Sequence, residues 1–298
     1  MLHTITWDAT LTALSSISHG GETRGTITLL RRERVLRDGA PVHVPVISGN
    51  AWRGRLRRTA EDLYRQCLGY EADELPLAAV HTLRTGGSLA KTGGSPLTGS
   101  RLRIARDLIP PLAIFGGATG GRTIEGALQV GKLLPVVVET AHLTGHTVEA
   151  PDVFAATQLE TYTRQDESTA PAMSTLGPTA VPLSPGSGEV DLGGLDALPE
   201  ATDPSGFTLF LVETFPAGSV FSSWLRAHHL TGEQLSFLRE VLATFAEHGT
   251  IGGRGAIGHG ALRLELDATP SLEQGLPDWR PRLLERRAEV IDAIRMLT

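Results

Sequence analysis

Arginine side chains at the start of a predicted helix have the type and spacing to bind phosphate groups. Arg53 and Arg57 are four residues apart and share one helix face, two further arginines flank them, and no acidic residue interrupts the run. Guanidinium groups match the geometry of phosphate oxygens. An N-cap at Ser48 or Asn50 would leave free backbone N–H groups that add an anion site. The pattern therefore indicates phosphate binding, and a solvated charged helix face is the alternative.

Two glycine-rich segments match nucleotide-binding patterns only superficially. Residues 253–258 read G-x-G-x-x-G, but a predicted helix precedes them and a predicted strand follows, the reverse of a dinucleotide site. Residues 126–132 read G-x-x-x-x-G-K, but Leu133 stands where a P-loop needs Ser or Thr. Neither segment is expected to bind a nucleotide cofactor. For the loop at 253–258, a tight structural turn and a contact with a polymer phosphate both remain open.

Residues typical of metal sites and of nucleophilic catalysis do not converge in this sequence. His142 and His146 are four residues apart and His228 precedes His229, but neither pair has an evident third ligand. No G-x-S-x-G elbow occurs, and Cys67 lies within a predicted helix, where packing is the simpler role. We therefore expect no metal, no cofactor and no catalytic residue.

Charge is distributed unevenly along the 298 residues. The net charge is −6 and the pI about 5.9, which argues against coating nucleic acid through bulk charge. Between Arg31 and Arg65, however, there are nine arginines and only four acidic residues. No apolar run is long enough to span a membrane, the first residues lack signal-peptide features, and there is a single cysteine. We expect a cytoplasmic protein with a local basic surface and no membrane partner.

The predicted elements fit an α+β fold with helices on an antiparallel sheet. Strands are predicted at 4–18, 26–30, 42–47, 127–128, 133–138, 207–214 and 261–266. Helices are predicted from about residue 50 to Gly69, over 231–248 and over 283–297. Loops are predicted at His19-Gly20-Gly21, at 84–100 and at 249–260, and 161–206 is expected to be a loop, an extended hairpin or an insertion.

Six segments, in order, resemble the motifs of RAMP-superfamily CRISPR proteins. They are 18–21 (the loop after the first strand), 44–57 ("I-P-G-S-S-L-K-G-x-L-R"), 112–116 ("L-F-G"), 162–166 (the start of the thumb), 215–221 ("L-P-A-G-T-x-F") and 251–260 ("I-G-G-x-x-x-x-G-x-G"). They span most of the chain. The sequence is most similar to the backbone subunits of class 1 effector complexes, the seventh Cas family, of type IV or type III.

The resemblance implies a ferredoxin-like, RRM-type palm in a single domain covering 1–298. It implies inserted fingers at about 70–108, a thumb β-hairpin and acidic loop at about 155–206, and a C-terminal helix at 270–298. Such subunits form filaments of identical copies along CRISPR RNA, bound to other effector subunits, and act on a target nucleic acid.

The residue pattern and the resemblance together predict ten RNA-binding positions. They are His19, Gly20, Gly21, Ser48, Asn50, Trp52, Arg53, Arg57, Arg164 and Arg254. Trp52 could stack a base, although a tryptophan on an amphipathic helix is more often part of the core.

Relatives that cut target RNA carry an Asp shortly after the first Gly-Gly, and this sequence has Glu22 there instead. We therefore expect binding without cleavage. Three alternatives stay open: target-RNA cleavage through Glu22, an endoribonuclease that processes CRISPR RNA with His19 as general base, and an α+β protein that binds no nucleic acid.

Overall fold

The computed structural model describes residues 1–70, 74–87, 96–145, 150–164, 208–270 and 275–297. The strands are β1 (His3–Ala13), β2 (Gly20–Arg24), β3 (Ile27–Leu30), β4 (Arg32–Arg37), β5 (Ala40–Pro45), β6 (Gly117–Thr119), β7 (Arg122–Ile124), β8 (Leu128–Val130), β9 (Leu134–Pro135), β10 (Gln158–Arg164), β11 (Thr208–Thr214), β12 (Val220–Leu230) and β13 (Leu262–Thr269). The helices are α1 (Gly49–Leu68), α2 (Leu77–Thr85), α3 (Gly99–Leu108), α4 (Pro110–Phe115), α5 (Ala141–Thr144), α6 (Gly232–His248), α7 (Arg280–Glu285) and α8 (Arg287–Arg295), with a 3₁₀ turn at Gly255–Ile257.

The central sheet has the ferredoxin-like arrangement. Its strands lie in the order β13-β1-β12-β8, with β9 also paired to β12, and the pairs are antiparallel. In chain order these strands and two helices read β1-α1-β8-β12-α6-β13, the β-α-β-β-α-β unit. The predicted α+β, ferredoxin-like fold is therefore confirmed.

Alternation along β1 and a stripe on each helix build the core between them. Ile5, Trp7, Ala9 and Leu11 are buried on one face of β1, as predicted. Tyr64 of α1 meets Phe237 of α6 edge to face, with ring centroids 6.4 Å apart. The opposite face of β1 presents Thr, Asp and Thr side chains and is covered by neither helix.

A second sheet, in the order β10-β11-β3-β2, lies beside the central one. Its β11 and β3 pair in parallel and its other pairs are antiparallel. Glu213 links β11 to the end of β3 and the start of β4, because its carboxylate accepts from the Leu30 N–H (2.8 Å) and forms an ion pair with Arg32. The β4–β5 hairpin packs separately, through Val35, Val44 and Val46, on the segment that holds Val137 and Val153.

The structure differs from several of the predicted elements. Residues 84–85 end α2 and 99–100 begin α3, so the loop predicted at 84–100 is shorter at both ends; 88–95 lie outside the described residues. The terminal helix is two helices, because Arg286, between them, has φ −106° and ψ 24° instead of helical angles. The long central strand β12 was not predicted, since its serines and histidines obscure an alternation that only burial reveals.

Candidate nucleic-acid interface

The first turn of α1 is fixed against the central sheet. Ser48 is its N-cap, and the Ser48 hydroxyl accepts from the Ala51 N–H (3.2 Å). A Cβ at Gly49 would lie 2.8 Å from the Val130 carbonyl oxygen, so glycine permits the close approach to β8. Asn50 is exposed, and the turn contains no acidic residue. The positive end of the helix dipole is thus left without a neutralising side chain.

His19 ties the start of β2 to the start of α1. The Ser48 N–H donates to His19 Nε2 (3.2 Å), and the Arg31 N–H donates to the His19 carbonyl (2.8 Å). Burial, and secondarily the charge of Arg31, lowers the pKa of His19. The ring is therefore neutral at pH 7, and its Nε2 already accepts a hydrogen bond from the Ser48 N–H. That nitrogen is therefore poorly placed to act as a general base.

Gly20 and Gly21 lie in strand β2, which corrects the prediction of a loop. Gly20 pairs with Leu30, and the register shifts between Gly20 and Glu22. A Cβ at Gly21 would lie 2.5 Å from the Cα of Arg31. Glycine has a low intrinsic propensity for β-strands, so the pairing with β3 is what makes this segment a strand. The bulge holds the two backbones close together.

A basic cleft of about 780 Å³ adjoins His19 and Gly21. Its lining includes Glu22, Arg24, Arg31, Arg32 and His43. Both Arg24 and Arg32 are ion-paired, with Glu22 and Glu213 respectively. Arg31 is exposed, and its side chain has no hydrogen bond or ion pair within the described ranges. Arg31 is not among the site residues predicted from the sequence, although the excess of arginines from residue 31 onward points to it.

Two of the predicted phosphate ligands bind the protein's own backbone instead. Arg57 is only 5% exposed, and its guanidinium donates to the carbonyls of Phe115 (2.5 Å) and Gly116 (2.8 Å) at the end of α4. Arg53 is half-buried and also donates to Phe115 (2.7 Å). Burial lowers the pKa of both, that of Arg57 to about 10 with the charge of Arg53 contributing. In this structure the Arg57 donors neutralise a helix C-terminus, and phosphate binding by Arg57 stays a prediction.

Trp52 cannot stack a base, because it is fully buried between α1 and the sheet. Of the two roles considered from the sequence, the core role is the one observed. An aromatic residue on the sheet-facing stripe of an amphipathic helix contributes mainly apolar area.

The glycine-rich loop docks beside His19. The Gly253 N–H donates to the Ser18 carbonyl (2.7 Å), and a Cβ at Gly252 (φ +81°) would lie 2.3 Å from that same oxygen. Arg55, from α1, donates to the Gly252 carbonyl (3.0 Å). The loop, the start of β2 and the start of α1, which all contain predicted RNA-binding positions, therefore meet at one edge.

Arg254, at the outer part of this loop, lies against the β10–β11 hairpin. It is exposed, has φ 61°, and its guanidinium carbon lies 4.7 Å from the centroid of the Tyr162 ring. A non-glycine residue in this conformation costs about 1–2 kcal/mol. Arg164 ends β10 opposite Thr208, but its side chain lies outside the described part.

With this geometry established, comparison with known proteins assigns the family. The RAMP superfamily model matches residues 10–263, most of the chain. The chain belongs to the RAMP superfamily. Its resemblance to RAMP motifs, noted from six segments of sequence, is thereby confirmed.

This RAMP chain is also similar to a chain of a solved "Type IV-B CRISPR Complex". The two share 31% sequence identity and superpose with a TM-score of 0.62. The match covers 94% of this chain and 96% of that chain. No curated protein sequence matches.

No group of three or more His, Cys, Asp and Glu side chains in the described ranges could hold a metal ion. Within the same ranges, no helix has the length and apolar character to cross a membrane.

Proposed function

We propose that this RAMP chain is a guide-RNA-binding backbone subunit of a class 1 CRISPR effector complex. In this proposal identical copies assemble into a helical filament along CRISPR RNA and bind its phosphates without cutting it. Membership of the RAMP superfamily and similarity to nearly the whole of a chain from a Type IV-B CRISPR complex support it. The other subunits of the complex and a target nucleic acid are the remaining partners.

The observation that carries the proposal is the edge where three backbone segments meet. His19, Ser48 and Gly252 belong to different elements, yet hydrogen bonds and close backbone contacts join them directly or through Ser18 and Arg55. This edge adjoins the basic cleft with the unpaired side chain of Arg31. A helix start without acidic residues and a free guanidinium are features that bind a sugar-phosphate backbone.

The inserted regions complete the proposed subunit. Strands β10 and β11 would form the base of a thumb covering about 155–206, and residues 165–206 of that segment lie outside the described part. The segment with α2 and α3 would form the fingers, at about 70–108, and 270–298 would be a C-terminal appendage with α7 and α8. The thumb would bend the guide and displace one nucleotide at regular intervals.

No residue is assigned a catalytic role. The Glu22 carboxylate receives two hydrogen bonds from Arg24, both of 3.2 Å, and His19 Nε2 accepts from a backbone N–H. The acceptor atoms of Glu22 and His19 that would take the proton of a reacting 2′-hydroxyl are therefore already hydrogen-bonded within the protein. Incubation of the purified protein with labelled CRISPR RNA and target RNA should leave both intact, and Glu22→Ala should change nothing.

Size-exclusion chromatography with absorbance at 260 and 280 nm tests the filament. The protein is purified after co-expression with its CRISPR array and, separately, alone. We expect a large, 260-rich species only with the array. Arg31 lines the basic cleft, and Arg34 lies opposite the cleft residue His43 in the β4–β5 hairpin. Arg31→Glu combined with Arg34→Glu should abolish the large species, because both side chains are exposed and reversal of charge repels phosphate.

Arg122→Glu is the matched control, since it reverses an exposed arginine on the separate β6–β7 hairpin. It should elute as the wild type does. A monomer dominated by 280 nm absorbance in both wild-type preparations would contradict the proposal. A 260-rich species that survives the double charge reversal would contradict the assigned groove.

A further inference from the structure

The Tyr162 ring on β10 is held in place by a hydrogen-bonded cluster. Its hydroxyl donates to Glu160 Oε2 (2.6 Å) and lies 2.7 Å from His259 Nε2. Glu160 also accepts from Thr214 (2.7 Å) and from Gln158 (3.0 Å). Because the Tyr162 proton is directed at the carboxylate, His259 Nε2–H is the donor to the Tyr162 oxygen. The orientation of this ring is therefore fixed by side chains from β10, from β11 and from the glycine-rich loop.

Arg254 is fixed against that ring from the other side. The Ile257 N–H donates to the Arg254 carbonyl (3.1 Å), which closes the turn that follows. The positive φ of Arg254 turns the chain between Gly253 and Gly255. Its guanidinium lies over the Tyr162 ring at 4.7 Å and makes no hydrogen bond to any described residue.

This arrangement leaves the guanidinium with distinct free surfaces. The guanidinium carbon lies over the Tyr162 ring and the residue as a whole is exposed, so the part of the guanidinium turned away from the ring is available to a ligand. Ile257, 56% exposed in the same turn, adds apolar surface. A planar cation supported by an aromatic ring is a platform for another flat π system.

We propose that Arg254, supported by Tyr162, stacks on one nucleobase of the bound RNA while its N–H edge contacts the adjoining phosphate. This inference rests on the proposed function, and it adds Tyr162 to the site and assigns Arg254 to a base as well as to a phosphate. Every base has a π face, so the contact tolerates any sequence. Glu160 and His259 are positioning residues, since they hold Tyr162 and do not touch RNA.

An abasic scan tests the platform. Fluorescence anisotropy measures the affinity of the purified full chain for a short single-stranded RNA in which each position in turn lacks its base. The wild type should show one position where base removal weakens binding about tenfold, the effect expected of one stacked base. Arg254→Gly should weaken binding to intact RNA by a similar factor, and base removal should then cost nothing more.

Arg254→Lys separates stacking from charge. Lysine keeps the positive charge and the same backbone strain but loses the planar face, so the salt dependence should persist while the position-specific loss disappears. Tyr162→Phe keeps the ring but loses its hydroxyl anchors, so the position-specific loss should shrink without vanishing. Arg122→Lys, on the β6–β7 hairpin, is the control and should behave as wild type.

The outcomes distinguish this inference from the proposed function. Wild-type binding that is indifferent to base removal at every position, or an Arg254→Lys variant with an unchanged position-specific loss, would overturn the platform and leave RNA binding standing. Failure of the wild type to bind RNA even at low salt would overturn both.

Discussion

Replacing Arg57 by alanine should destabilise the fold instead of simply weakening RNA binding. In the structure the Arg57 guanidinium joins α1 to the last carbonyls of α4, and the ring of Phe115 lies 5.7 Å from it. Removing the side chain leaves the Gly116 carbonyl without this donor, whereas Arg53 still serves the Phe115 carbonyl. The helix junction then loses both hydrogen bonding and packing.

The expected magnitude follows from those contacts. A lost hydrogen bond from a charged donor to a buried carbonyl costs about 1.5–3 kcal/mol. The space vacated beside Phe115 and Gly86 adds about 1 kcal/mol, since the site can collapse only in part. The free energy of unfolding should therefore fall by about 3 kcal/mol, which lowers the melting temperature by about 5 °C for a domain of this size.

Urea denaturation followed by circular dichroism measures the change, with Arg31→Ala as the matched control. Arg31 is exposed and has no side-chain partner among the described residues, so its removal should change stability by less than about 0.5 kcal/mol. It should instead weaken RNA binding and reduce the salt slope by about 0.7, the value for one phosphate of a single strand.

An Arg57→Ala variant with wild-type stability and lowered RNA affinity would refute this reasoning. Arg57 would then be a phosphate ligand, as the sequence pattern suggested. Arg57→Lys should lie between the wild type and alanine, because a single ammonium cannot reproduce the guanidinium fork that reaches both carbonyls.

Two further predictions concern the groove and the Tyr162 cluster. Gly21→Ala should lower the free energy of unfolding by about 1–3 kcal/mol, because its Cβ meets the Arg31 backbone; Gly20→Ala, whose Cβ meets only a methyl group of Thr28 at 3.2 Å, should cost less in the same urea titration, and equal costs would contradict the close approach. Burial opposes ionisation of Glu160, but hydrogen bonds from Ser16, Tyr162, Thr214 and Gln158 outweigh it and lower its pKa to about 2. Because this folded-state pKa lies below the ordinary 4.5, the stabilisation is fully present above pH 4.5 and is lost as the pH falls towards 2. Urea titrations from about pH 6 down to about pH 2.5 should show Glu160→Gln with a shallower loss of stability than wild type, and parallel profiles would contradict the assignment.

Local sequence signals predicted several elements well. Ser48 caps α1, Gly69 ends it in the left-handed conformation, and Thr231 with Gln234 forms a capping box at the start of α6. These features depend on residues within a few positions of one another, so the sequence alone carries them. The alternation of β1 was readable for the same reason.

Elements that depend on distant partners were harder to predict. Gly20 and Gly21 form a strand only because β3 lies beside them, and β12 is a strand because β1, β8 and β9 pair with it. Neither partner is evident from the local pattern. The role of Tyr162 was likewise hidden, because the side chains that hold it include His259, almost a hundred residues further along the chain.

The sequence by itself determined the family, through six ordered motifs, and with it the α+β palm and the segments that approach one another. It also determined that arginines concentrate near the start of α1. Only the tertiary structure decided which of them are free. The packing of α4 against α1 engages Arg57 with backbone carbonyls almost sixty residues further along the chain, a contact that no local pattern reveals. The exposed Arg31, which follows β3, has no side-chain hydrogen bond or ion pair among the described residues and remains open to a ligand.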